Sequence, residues 1–309
     1  MACEEVNGAA AKIASMKIRG AGKIARSAAR ALKSCAKASK AKNRKEFLGE
    51  LEESGRILIS ARPTAVSLPN AVQFVLNRVN GSRDDVEELR NLAISTADAF
   101  VDKSLKAVKR IGEIGARRVR DGEVIMTHCH SNATLSVIKN AWEQGKKIRV
   151  IVTEARPRYQ GHITARILAE AGIPCTLIVD SAVRTFMKGV DKVIVGADSI
   201  AANGAVVNKI GTSQLALAAN EARVVFMVAA ESYKFHPRTL IGALVEIEER
   251  GKEEVADTGE FRGVEIRNPA FDVTPPEYID LIVTEKGVIP PQASIMIIKD
   301  EFGWALSGE

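Results

Sequence analysis

The sequence has no long hydrophobic run, no paired cysteines and few aromatic residues, and each shortage removes a class of protein. Its longest uninterrupted apolar stretch is Val224–Ala230, far below the roughly 20 residues that a membrane-spanning helix needs. No apolar core of a secretory signal lies near Met1, so a soluble, cytoplasmic protein is expected. The four cysteines, Cys3, Cys35, Cys129 and Cys175, include no C-x-x-C spacing. Zinc ribbons and redox dithiols are therefore not signalled, and reduced thiols are the natural reading. Aromatic residues make up 5% and do not interleave with the basic ones, which argues against a stacking surface for nucleic acid. Also absent are a G-x-x-x-x-G-K-[ST] loop, a G-x-S-x-G elbow, an H-E-x-x-H helix and a kinase signature. Nucleotide hydrolysis, serine esterase and zinc protease chemistry lose their support accordingly.

What is present fits a globular chain. With 309 residues, 46% of them hydrophobic, it has material for about two domains and a core that needs neither disulfides nor metals. Charge is unevenly placed. Residues 1–45 hold twelve Lys or Arg against Glu4 and Glu5, a net of +10; the chain totals +6, so the remainder carries −4. Such an end could meet nucleic acid, a membrane surface or a phosphorylated metabolite, or form a solvated helix face.

Periodicity separates two regions. Up to about residue 120 the apolar positions recur at helical steps, as in Ile13, Met16, Ile24, Ala28 and Leu32. A long helix is expected after Ser82, with Asp85 as its capping-box partner and a stripe through Leu89, Ala97, Phe100, Leu105 and Ile111. After Gly122, short Val- and Ile-rich runs appear at 123–127, 148–153, 176–179, 192–195, 224–229 and 281–284, with helical patterns between them. That alternation predicts a parallel sheet covered on both faces. The expected fold is α/β, a helical N-terminal domain (1–120) followed by a Rossmann-like domain (121–309).

In such a sheet, ligands bind beyond the carboxyl ends of the strands. The runs are followed in turn by His128-Cys129-His130-Ser131, Glu154-Ala155-Arg156, Asp180, Asp198, and Glu231 with Lys234. These groups suit acid–base work on an anion and show no metal-ligand spacing. Cys129 stands between two histidines just before a helix start, a setting that lowers a thiol pKa. A buried structural cysteine and a His-Cys-His metal site are the alternatives to a catalytic thiol. Asp198 closes an apolar strand, where a carboxyl can stay protonated as a general acid or serve as a helix cap. Asn208-Lys209-Ile210-Gly211-Thr212 offers a cation and backbone N–H groups at a helix start, a ready anion site. Arg19-Gly20-Ala21-Gly22-Lys23 spells part of a dinucleotide fingerprint, but a helical pattern precedes it and basic residues stand where the ribose acid belongs. NAD binding is rejected; a phosphate contact is not. Arg62-Pro63-Thr64 adds a second rigid cationic turn.

The stretches IRGAGKIAR (18–26), RPTAVSLPN (62–70), VIMTHCHS (124–131), VGADSI (195–200), GAVVNKIGT (204–212) and NPAFDVTPPEYIDLIVTEKGVIPP (268–291) resemble the superfamily of initiation factor 2B regulatory subunits and sugar-phosphate isomerases. The likeness runs from about residue 10 to Trp304. Within the superfamily the chain is most similar to the archaeal sugar-bisphosphate isomerases. The resemblance implies conversion of α-D-ribose 1,5-bisphosphate to D-ribulose 1,5-bisphosphate without metal or redox cofactor, with Cys129 and Asp198 as the catalytic pair. It implies substrate contacts at Arg19, Gly20, Ala21, Gly22, Arg62, Ser131, Asn132, Ala133, Asn208, Lys209 and Lys234. Asn132 departs from the pattern, standing where a lysine is expected, which removes one cation. The resemblance further implies AMP as an activator, a place in nucleoside degradation, and a homo-oligomer built as a dimer or a trimer of dimers. Membrane and nucleic-acid partners are not expected. A methylthioribose-1-phosphate isomerase and a non-catalytic translation-factor subunit are the competing readings, the first favoured by an apolar pocket in place of a second phosphate site.

Overall fold

The structure, a computed structural model, describes residues 3–303. Its first unit runs to Lys106 and its second from Ala107 to Gly303. The first consists of helices α1 (Glu4–Ala14), α2 (Ala21–Ala38), α3 (Arg44–Ser60), α4 (Ser67–Asn80) and the first turns of α5 (Val86–Ala116). The division therefore falls inside α5, whereas the sequence reading put the border near residue 120, where the helical pattern stops.

Small residues set the packing of the first unit. α2 buries Ile24, Ala25, Ala28, Ala29, Ala31, Leu32, Cys35 and Ala36, an alanine-rich face at helical spacing that lets neighbouring helices approach. Gly55 of α3 serves the same end, because a Cβ there would stand 2.9 Å from Val72 of α4. Most cations of residues 1–45 lie on solvated faces. Lys33 pairs with Asp98, and Arg26 donates to Ser104 Oγ at 3.0 Å. The long helix corrects the sequence reading in two places. Asp85 itself is the cap: its Oδ1 accepts from the N–H groups of Glu87 and Glu88, both at 2.9 Å, while Ser82 Oγ turns to Asp84. Leu105 is 52% exposed; the buried stripe continues through Ser104 and Ala107, which hold the 3–4 spacing that Leu105 breaks.

The second unit runs β1 (Val124–His128), α6 (Asn132–Glu143), β2 (Arg149–Thr153), α7 (Gln160–Glu170), β3 (Cys175–Ile178), α8 (Val183–Met187), β4 (Lys192–Val195), β5 (Ser199–Ile200), β6 (Val206–Lys209), α9 (Thr212–Ala222), β7 (Val225–Ala229), β8 (Phe271–Thr274), β9 (Leu281–Thr284), β10 (Gly287–Ile289) and α10 (Ser294–Phe302). A seven-stranded sheet has the order β10-β9-β7-β4-β1-β2-β3, parallel except for β10. Alternate residues enter opposite cores. Ile125, Val150 and Ile194 pack with α6 and α7 on one face, whereas Val124, Met126 and Val193 pack with α9 and α10 on the other. The fold class is as the sequence led one to expect. Not anticipated was a small antiparallel sheet, β5-β6-β8, whose strands are too short and too mixed in polarity to stand out.

Candidate active site

The sheet order reverses between β1 and β4, and the chain leaves the carboxyl ends of these two neighbours at Cys129 and Asp198. The crevice at such a switch point is where doubly wound sheets bind ligands. Cys129 has φ +66, a left-handed conformation uncommon outside glycine. Its carbonyl accepts from Thr164 Oγ1 at 2.8 Å, which ties the strained residue to α7. Ser131 caps α6 by accepting from the Thr134 N–H at 3.3 Å. Glycine is required at 196, where a Cβ would stand 2.5 Å from Ser131 Oγ; its absence lets the exit of β4 pass close under the start of α6. Asp198 then turns into the small sheet, its N–H donating to the Val207 carbonyl at 2.9 Å.

The electrostatics differ from those expected of a thiol between two histidines. Burial pushes the Cys129 thiol up to about 11, helped by the charges of Asp198 and Asp180 and opposed by Lys209 and the His130 N–H. His128 brings no positive charge, since burial lowers its pKa. Its Nδ1 lies 2.6 Å from Thr153 Oγ1 and its Nε2 2.8 Å from the Ile210 carbonyl, so Nε2–H donates to the carbonyl and Nδ1 accepts. Lys209 is buried on β6, with Nζ 2.8 Å from the Ala270 carbonyl and 5.1 Å from the Phe271 ring centroid. Burial lowers its pKa, while Cys129 and Asp198 pull it back up. Thiol, carboxylate and ammonium thus act on one another in one place.

The remaining residues singled out in the sequence divide by unit. Asn208 is buried, donating from Nδ2 to Thr212 Oγ1 at 3.0 Å. The N–H groups at the start of α9, read as an open anion site, are already served. Asp272 Oδ2 accepts from Gly211 and Ser213 at 2.7 and 3.0 Å, because the β6–β8 register sets Asp272 opposite Asn208. Lys234 lies past β7 in a segment that runs beside β5, with Nζ 2.6 Å from Glu231 Oε2, so a buried carboxylate balances its charge. Asn132 and Ala133 open α6, the first exposed and the second buried. In the helical unit, Gly20 has φ +87 and precedes α2. Arg19 is exposed and Arg62 half-buried. Ser67 Oγ donates to the Ala21 carbonyl at 3.0 Å, which brings the Arg19–Gly22 turn and the turn after Arg62 together. A helix, α1, precedes that glycine turn where a dinucleotide site requires a strand. Among the described residues no group of three or more His, Cys, Asp or Glu is placed to hold a metal ion.

A family model described as the initiation factor 2 subunit family matches residues 17–291. The chain belongs to this family. It is 57% identical to the ribose 1,5-bisphosphate isomerase of Thermococcus kodakarensis, over 98% of this chain and 96% of that one. Among solved structures it is similar to the translation initiation factor eIF-2B of Pyrococcus horikoshii OT3, with a TM-score of 0.80 and 33% identity over 95% of this chain and 99% of that one. It is also similar to the 5-methylthioribose 1-phosphate isomerase of the same organism, with a TM-score of 0.75 and 33% identity over 97% and 88% of the two chains.

As an initiation factor 2 family chain it carries several residues at the site that sequence reasoning passed over. Asp180, noted only as following a strand, accepts the Ala155 and Arg156 N–H groups at 2.8 and 2.7 Å and fixes the loop after β2. Gln160 opens α7 with its Oε1 buried and unmatched by a hydrogen bond. Asp272 keeps Oδ1 in the same condition, and burial raises its pKa to about 6. Glu248 and Arg250 act on Lys209 from an irregular segment. Asp272 carried a signal, a charge inside an otherwise apolar strand pattern; Glu248 and Arg250 carried none, since charged residues crowd the whole of 246–254. No helix among the described residues is long and apolar enough to cross a membrane.

Proposed function

We propose that this chain is a sugar-phosphate isomerase that converts α-D-ribose 1,5-bisphosphate to D-ribulose 1,5-bisphosphate. The observation that carries the reading is the coupling of Cys129, Asp198 and Lys209 at the switch point of the sheet. Identity to the Thermococcus enzyme supports the choice of substrate.

The 1-phosphate blocks simple opening of the sugar ring, so the ring oxygen must be protonated as its bond to C1 breaks. A thiol and a carboxylate become the required base and acid if one proton passes from Cys129 to Asp198. The thiolate then removes the proton from C2, the electron pair forms the C1–C2 double bond, and the C1–O bond breaks as Asp198 protonates the ring oxygen. Return of the Cys129 proton to C1, with Asp198 taking the proton of the C2 hydroxyl, yields the ketone and restores both groups. Lys209 favours the thiolate and the developing enolate, the kind of preorganised charge that carries much of enzymatic acceleration. Positioned acid–base groups contribute about 10²–10⁴-fold each. Arg19, Gly20, Ala21, Gly22 and Arg62 remain the proposed phosphate contacts of the helical unit, and Ser131, Asn132, Ala133, Asn208, Lys209 and Lys234 those of the other. AMP is proposed as activator, in nucleoside degradation, and the active form as a homo-oligomer in the cytoplasm.

The test is turnover of ribose 1,5-bisphosphate by the purified chain, with and without AMP, beside methylthioribose 1-phosphate. Cys129→Ala and Asp198→Asn are expected to lose at least about 10²-fold in kcat while remaining folded. Faster turnover of the thioether sugar, or unchanged turnover in either variant, overturns the reading.

A further inference from the structure

The turn from β6 into α9 is held by hydrogen bonds from three directions. From within, Asn208 Nδ2 donates to Thr212 Oγ1 at 3.0 Å, and Thr212 Oγ1 donates to the Lys209 carbonyl at 2.6 Å. From β8, the Ala270 carbonyl accepts both the Ile210 N–H at 3.1 Å and Lys209 Nζ at 2.8 Å. From β1, His128 Nε2 donates to the Ile210 carbonyl at 2.8 Å. The peptide group that carries this carbonyl points its N–H the opposite way, and there Gly211 N–H donates to Asp272 Oδ2 at 2.7 Å. One peptide, a residue past Lys209, is thus fixed at both its acceptor and its donor.

Helix α9 has no cap of its own. Its N-cap position is Gly211, with φ +101, and a Cβ there would stand 3.1 Å from His128 Cε1, so the close approach of the turn to β1 excludes a capping side chain. The acceptor comes instead from β8, 61 residues along the chain, where the register sets Asp272 opposite Asn208 and Phe271 opposite Lys209. Asp272 Oδ2 takes the Ser213 N–H as well, at 3.0 Å. An uncharged acceptor serves a helix start equally well. Asp272 instead keeps a carboxylate whose Oδ1 is buried without a hydrogen bond, and burial raises its pKa to about 6. A charge that costs stability where it stands is a mark of functional sites. The positive charges that favour it are the start of α9 and Lys209.

We propose that Asp272 is a positioning residue of the reaction: it holds the 209–213 turn against the end of β1 and so fixes Lys209 for its work beside Cys129. This rests on the isomerase reading of the site, so the deciding readout is one that needs no turnover, the rate at which iodoacetamide alkylates Cys129 at neutral pH. Asp272→Ala, Asp272→Asn, Lys209→Met and the double variant Asp272→Ala/Lys209→Met are made in the full chain, with thermal unfolding and the kcat and KM for ribose 1,5-bisphosphate measured alongside. Lys209→Met removes a cation, worth about one pKa unit at the thiol, and should slow alkylation about tenfold. Asp272→Ala leaves Lys209 charged but no longer placed, and is expected to slow alkylation and lower kcat by about three- to tenfold. The double variant should be no slower to alkylate than Lys209→Met alone, because the two changes remove one effect. Asp272→Asn keeps an acceptor for both N–H groups and should stay near the parent. Alkylation of Asp272→Ala at the parent's rate, or faster because the turn has merely loosened, overturns the proposal. Losses that multiply in the double variant overturn it as well, since Asp272 would then not act through Lys209. So does Asp272→Asn as slow as Asp272→Ala, because the charge and not the hold on the turn would matter. Should Asp272→Ala not fold, Asp272→Glu, which keeps the charge and moves the acceptor by one methylene, is read in its place by the same criteria. If the alkylation rates come out as expected while the chain leaves the sugar unchanged, the substrate assignment fails and the positioning stands.

Discussion

At neutral pH a thiol with a pKa of about 11 is almost wholly protonated, so Cys129 must lose its proton before it can act as a base. The rate of alkylation by iodoacetamide follows the thiolate fraction. At Cys129, measured by mass mapping of its peptide, it is expected to climb steadily from pH 7 to pH 10, where an ordinary thiol, half ionised at about 8.5, is nearly flat. Replacing Lys209 with Met removes the cation that favours the thiolate and should slow the reaction at every pH. A plateau by pH 9 would contradict the burial argument. The sequence made Cys129 and Asp198 legible because both close Val- and Ile-rich strands, and strand ends carry the chemistry of α/β folds. It misjudged the thiol's ionisation because neighbours in sequence are not neighbours in space. His128 turns into the core to meet Thr153 and Ile210, and the charge that acts on the sulfur comes from Lys209, eighty residues downstream.

The start of α6 and the end of β4 depend on one glycine. In Gly196→Ala the new methyl would meet Ser131 Oγ at 2.5 Å and its Cβ at 2.6 Å, so either the helix start or the strand exit has to shift. Overpacking of this kind costs about 1–3 kcal/mol, and the shift separates Cys129 from Asp198. Chemical denaturation should show that loss, with kcat falling by more than the stability change alone explains. Adding Ser131→Gly removes the clashing atoms, so the double variant should be no less stable than Ser131→Gly alone; plain additivity would deny the contact. Strands and helices of the large sheet were legible element by element, because buried parallel strands are continuous apolar runs. The strands of the small sheet were not. β6 offers only Val206 and Val207 before the polar Asn208 and Lys209, and its pairing with β8 spans more than sixty residues. No local pattern reports such a pairing.

Across the whole molecule the signs of charge are sorted: the first 45 residues carry +10 and the rest −4. Most of those cations are exposed, and Lys33, half-buried, pairs with Asp98. A folding role does not account for so many solvated charges of one sign, because exposed pairs contribute at most about 1 kcal/mol and unpaired like charges repel. A bisphosphate carries several negative charges, and a field of opposite sign raises its rate of encounter with the protein. At 0.15 M ionic strength that field decays over about 8 Å and at 1 M over about 3 Å. Raising sodium chloride from 0.05 to 0.5 M should therefore lower kcat/KM for ribose 1,5-bisphosphate several-fold through KM, with kcat little changed. Replacing Lys37, Lys40, Lys42 and Lys45 with Gln, all of them exposed and none among the proposed contacts, should reproduce part of that loss at low salt and flatten the salt dependence. If the fourfold variant keeps the parent's salt curve, the basic end does not steer the substrate, and the salt effect arises at the proposed phosphate contacts instead.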